Sequence, residues 1–86
     1  MTPLIIRRTI LAELARSASY ALPVEQLLEQ INLRLRPALT REQLTQHLSW
    51  LLDHGMIDFL PDEMDPDNAD ARKWLIREAG LVALRK

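Results

Sequence analysis

The stretch Thr40-Arg41-Glu42-Gln43-Leu44-Thr45-Gln46-His47-Leu48-Ser49-Trp50-Leu51-Leu52-Asp53-His54-Gly55-Met56-Ile57 constrains the fold more than any other part of the chain. Thr40 can accept from a backbone N–H three residues on while Gln43 reaches back, the reciprocal pattern of a capping box. Leu44, Leu48, Leu51 and Leu52 fall on one face at the 3.6-residue period. Gly55 stands where a left-handed residue ends a helix without steric cost. Met56-Ile57-Asp58-Phe59-Leu60 then turns to an extended apolar pattern. One helix over about 40–54, a glycine stop and a strand are predicted in that order.

The rest of the chain arranges itself around this unit. Thr2 and Pro3 suit an N-cap and a first helical position, and Ile6, Ile10, Leu11 and Leu14 make a stripe, so a helix is predicted over about 2–17. Tyr20 and Leu22 alternate with small residues, which suits a short extended segment. Pro23 opens a second helix over about 23–33, with Val24, Leu27, Leu28 and Ile31 on one face. Pro37 marks a turn. After Leu60 a polar, proline-punctuated segment reads as a loop. Arg72-Lys73-Trp74-Leu75-Ile76 returns to strand character, giving a hairpin over 56–76, and a short helix closes the chain over 77–86. With 86 residues, about 60–65% of the unfolded surface can be buried. A single domain over 1–86 is the expectation.

Helix, glycine and strand in this order resemble the recognition helix and first wing strand of winged-helix DNA-binding proteins, where a helix docks in the major groove. The pattern Leu44-x-x-His47-Leu48-x-x-Leu51-x-x-x-Gly55-Met56-Ile57 resembles the ArsR/MarR-type regulators. Trp74-Leu75-Ile76-Arg77-Glu78-Ala79-Gly80 is similar to that family's closing strand and LTEAG segment, with Arg77 where the family has Thr. A closer likeness, in Thr40 to Leu44 and in Leu48-Ser49-Trp50-Leu51 ahead of Gly55, is to the small ArsR-type winged-helix proteins of Mu-like phages and prophages. The resemblance implies an α+β fold of the winged helix-turn-helix type. Its parts would be a three-helix core, a small antiparallel β-hairpin wing and a short C-terminal helix. It further implies a small transcriptional regulator of bacterial or phage origin that binds double-stranded DNA as a homodimer.

On that reading Arg41, Gln43, Thr45, Gln46 and Ser49 face the groove and Arg34 and Arg36 touch phosphate. Gln can pair bidentately with adenine, Thr can meet a thymine methyl, and Arg suits phosphate. Charge pulls the other way. Eleven Lys and Arg against twelve Asp and Glu give a net charge of −1, whereas dedicated nucleic-acid domains more often carry a basic excess. Asp62, Glu63, Asp65, Asp67 and Asp70 crowd the hairpin loop and would repel phosphate. A winged-helix protein-interaction module without DNA binding therefore stays open as the alternative. Trp50, the odd residue on the polar arc, is expected either to pack on the hairpin through Trp74 or to anchor a partner. Leu4, Ile5, Leu81, Val82 and Leu84 exceed what so small a domain can cover, so a two-fold dimer through the terminal helices is expected.

Other chemistry is poorly supplied. There is no cysteine, which excludes disulfides, thiolate metal sites and thiol redox chemistry. His47 and His54 lie seven residues apart, about 10.5 Å along a helix at about 1.5 Å per residue, too far to share an ion. Counted from Asp62, an EF-hand would need glycine at Asp67 and glutamate at Lys73. Two glycines cannot form a phosphate-cradling loop, and no serine sits in a nucleophile elbow. No metal, cofactor or catalytic set is expected. The order of apolar and basic residues in Met1 to Arg8 is wrong for a secretory signal, and no uncharged run approaches the ~20 residues of a membrane span. A cytoplasmic location is the expectation.

Overall fold

The computed structural model describes residues 2–17 and 19–86; Met1 and Ala18, which the sequence places in the first segment and the break after the first helix, lie outside the described residues. The elements are α1 (Pro3–Arg16), β1 (Leu22–Pro23), α2 (Val24–Asn32), α3 (Arg41–Asp53), β2 (Ile57–Leu60), β3 (Lys73–Ile76) and α4 (Glu78–Leu84), with a 3₁₀ turn at Ala69–Ala71. The architecture is α+β: four helices and a three-stranded antiparallel sheet in the order β1-β3-β2. No helix among the described residues is long and apolar enough to cross a membrane.

Local chemistry explains most boundaries. Thr2 caps α1 by accepting from the Ile5 amide at 3.4 Å, with Pro3 in the first turn. The capping box of α3 is complete. The Gln43 amide donates to Thr40 Oγ1 at 3.1 Å, and the Thr40 amide donates to Gln43 Oε1 at 2.9 Å. At the other end Gly55 has φ +71°, the Gly55 amide donates to the Leu52 carbonyl, and the Met56 amide donates to that of Leu51. Those two bonds satisfy carbonyls that the helix leaves unpaired, the Schellman arrangement. Pro23 does not enter α2; it is the N-cap and the last residue of β1. A proline is tolerated there because β1 is an edge strand. The last helix is shorter than expected. It runs from Glu78 to Leu84 instead of over 77–86, with Arg85 as its C-cap, and Arg77 at its N-cap makes no side-chain capping bond.

Between α2 and α3 the chain is clamped by a residue that periodicity does not reveal. Asn32 Nδ2 donates to the Leu39 carbonyl at 3.1 Å while Asn32 Oδ1 accepts from the Leu39 amide at 2.8 Å. This reciprocal pair closes the loop and tucks Leu35 and Leu39 into the core. It also sets where α3 begins.

The core gathers Ile6, Ile10, Leu11 and Leu14 of α1, Leu27 and Ile31 of α2, Leu44, Leu48 and Leu51 of α3, and Leu22, Ile57 and Trp74 of the sheet. Leu52, assigned by periodicity to the same face, is half-buried at the core's edge. Register places Leu22 and Phe59 on either side of Trp74 across β3. Gly80 fits where nothing larger would. A Cβ there would lie 2.5 Å from the Met56 carbonyl oxygen and 2.8 Å from Ile76 Cγ1. Gly80→Ala should therefore force α4 off the sheet and destabilise by about 1–3 kcal/mol, as overpacking does. Leu48→Ala should cost about 2–5 kcal/mol as a buried truncation, while Thr45→Ala, exposed on α3, should cost under about 0.5 kcal/mol. Urea titrations of the three variants test the assignment, and equal effects of the two α3 changes would overturn the helix face.

Candidate functional site

The solvent side of α3 carries Glu42, Thr45, Gln46 and Ser49, all exposed. The Thr45 hydroxyl donates back to the Arg41 carbonyl at 3.0 Å, which fixes its rotamer and leaves its methyl available. Gln46 and Ser49 are one turn apart and keep their polar groups toward solvent. Gln43 differs from expectation: its side-chain oxygen is held in the capping box, so it belongs to the helix start rather than to a contact face.

The arginines expected on phosphate have protein partners instead. Arg41 reaches Glu25 of α2 at 2.9 Å and Asp70 of the hairpin loop at 3.5 Å. Arg36 folds back on the end of α2, donating to the carbonyls of Asn32 at 2.6 Å and Leu35 at 3.1 Å. Arg34 lies apart from α3, against α1, where its Nε pairs with Glu13. Glu13 is only 5% exposed and has Arg16 as a second, longer partner at 3.9 Å. A carboxylate removed from water needs such a partner. Arg34 is therefore an internal counter-ion, and the structure does not bring it together with Arg41 or Gln46. The acids of the hairpin loop face solvent, with Asp62 half-buried. Asp62 and Asn68 spend side-chain oxygens on the amides of Met64 and Asp70, ordering the loop locally.

Trp50 does not meet Trp74. Its indole stacks on His54 at 3.7 Å between ring centroids and carries the Arg7 guanidinium at 3.7 Å from the ring centroid. His54 is locked in place because its Nδ1 lies 2.8 Å from the Trp50 carbonyl, a contact that requires the proton on that nitrogen. Trp74 is buried and tilts against Phe59 instead. The five residues expected at a dimer interface, and Trp50 as a partner anchor, are also divided. Leu4, Trp50 and Val82 line a groove between α1, α3 and α4, Ile5 and Leu84 line a separate cavity on the other side of α1, and Leu81 is half-buried.

Three contributors were not visible as site residues in the sequence: Arg7, Glu13 and Asn32. Glu13 had a signal, since it sits at i+3 from Ile10, on the apolar stripe, where an acid must be paired. Among the described residues no group of three or more His, Cys, Asp or Glu is placed to hold a metal ion. Compared with protein-family models, with curated proteins and with solved structures, the chain matches none.

His47 sits half-buried on α3, and its pKa is lowered, first by burial and then by the charge of Arg7. A histidine whose native pKa lies below its unfolded value contributes no penalty above the ordinary imidazole range. As pH falls through that range the unfolded chain takes up the proton first and stability is lost. The urea midpoint of the parent should therefore drop more than that of His47→Gln between about pH 7.5 and about pH 5.5. Parallel decline in both proteins would refute the assignment.

Proposed function

We propose that this chain is a winged-helix domain that binds duplex DNA through the outer face of α3, acting as a small transcriptional regulator of bacterial or phage type and not as an enzyme. The observation that carries the reading is the placement of α3. It follows a helix-strand-helix unit and precedes a β-hairpin. It is capped at both ends and turns Thr45, Gln46 and Ser49 to solvent. A rigid helix with free polar side chains a turn apart is what major-groove readout needs.

The contact set narrows to Arg41, Thr45, Gln46 and Ser49. Arg41 keeps its candidacy because Glu25 and Asp70 are themselves largely exposed, and surface ion pairs are worth only about 0–1 kcal/mol. A phosphate can replace them. Arg34, Arg36 and Gln43 hold the fold and leave the contact set. Partner recognition without DNA is the second reading, favoured by the acidic hairpin, the net charge of −1 and the apolar groove beside Trp50.

Fluorescence anisotropy with labelled duplexes, including the gene's own upstream region, tests the first reading. Arg41→Ala should weaken binding to every duplex and flatten the salt dependence by about one unit of slope. Gln46→Ala should relax preference at one base position by about 1–3 kcal/mol. Replacing Asp62, Glu63, Asp65 and Asp67 by their amides should tighten non-specific binding. No duplex affinity at about 50 mM salt would end the DNA reading.

A further inference from the structure

Between α1, the C-terminal half of α3 and α4 lies a groove of about 770 Å³. Leu11 and Leu51 close its base, both buried, and Met56 and Ala83 fill in around them. Toward solvent it is edged by Leu4, 62% exposed, and Val82, 39% exposed. Trp50 stands in the wall, held rigid by His54 and Arg7. Charge around the groove is one-sided: Arg7, Arg8 and Lys86 against Glu78. Among the described residues none of the three cations pairs with an acidic side chain; Arg8 donates to the Lys86 main-chain oxygen at 3.1 Å, and the Nε of Arg7 is buried without a hydrogen-bond partner.

We infer that this groove is a docking site for an amphipathic helix of a partner protein, with aliphatic residues along one face and carboxylates flanking them. The charge follows from the cations, which an acidic segment would neutralise. The helical form follows from the lining. The walls are side chains of α1, α3 and α4, and those helices satisfy their own backbone groups. An extended segment laid on the apolar base would lose water from its amides and carbonyls without replacement. A helix arrives with its backbone already paired and presents residues at i, i+3, i+4 and i+7. Trp50, preorganised and half-buried, is the type of residue that anchors such contacts.

A second copy of this chain fits less well. Pairing the face with itself would bring Arg7, Arg8 and Lys86 against their own equivalents across a two-fold axis. The apolar faces of α2 and α3 are spent in the core, and the acids of the chain concentrate in the non-helical hairpin loop. Among the described residues no helix offers a free apolar stripe flanked by acids.

The inference does not rest on DNA binding, since none of Arg41, Thr45, Gln46 and Ser49 lines the groove, although Trp50 stands one turn along α3 from Gln46. The test uses the full chain and three fluorescein-labelled, helix-stabilised peptides of about 15 residues. One carries leucines at helical spacing flanked by glutamates, the second has lysines for the glutamates, and the third is an acidic scramble without the stripe. The acidic amphipathic peptide should saturate at micromolar protein, bind at least about ten-fold tighter than the lysine peptide, and shift Trp50 emission. The double change Arg8→Glu, Lys86→Glu should reverse that preference. Val82→Glu should abolish peptide binding while leaving the thermal melt and any duplex affinity of the parent unchanged. Equal binding of the glutamate and lysine peptides, equal binding of the scramble, or no saturation would overturn the inference. So would a dimer by analytical ultracentrifugation that Val82→Glu dissociates, because the occupant would then be a second copy.

Discussion

The indole of Trp74 joins the sheet to the helices, and the arrangement of the other elements follows from it. β1 is two residues long and β2 four, too short to stand alone as a sheet in water. Both pair with β3, and the shared register sets Leu22, Trp74 and Phe59 in one row across the strands. Trp74 is 4% exposed within the core cluster that includes α1. The segment leading into α2 and the base of the hairpin are thus referred to one side chain. Because side chains alternate along a strand, a one-residue slip of β3 would turn Trp74 to solvent and expose the row.

A second constraint comes from electrostatics inside α1. Glu13 is buried on α1 and answered by Arg34, which arrives from beyond the end of α2. Such a pair contributes little net stability, but loss of one partner strands the other. Arg34 and Asn32 together tie the α2–α3 connection to the body of the molecule. One holds it by charge and the other by two amide hydrogen bonds. Their effect is geometric: they hold the connection between α2 and α3 against the body of the molecule, while Leu44, Leu48 and Leu51 seat α3 in the core.

The parts of this molecule that are local in sequence were legible in it. Thr40 and Gln43, Gly55, and the leucines between them specify α3 and its ends within a few residues of each other, so spacing alone carries the information. The hairpin, the short extended segment and the fourth helix follow from switches of period and from proline. What could not be read is non-local. Arg34, Arg36 and Arg41 look like free cations in a list of residues, and only the fold assigns each a partner, up to 29 positions away for Arg41 and Asp70. Trp50 was placed on the polar arc by a helical wheel that is correct for α3 in isolation. Its surroundings are set by α1, which delivers Arg7. Gly80 shows the same limit, since its smallness answers to Met56 and Ile76, neither of which is identifiable as its neighbour from α4 alone.

The contact between Arg41 and Asp70 has a kinetic meaning. Asp70 is carried on a loop anchored at both ends by strands, so its carboxylate is presented to Arg41 as a tethered ligand at high effective concentration. Any polyanion approaching the start of α3 competes with an internal anion before it gains anything from that arginine. If α3 meets duplex DNA as proposed, the hairpin would act as a counter-weight: this exposed ion pair, worth about 0–1 kcal/mol, would have to be given up before Arg41 could meet a phosphate.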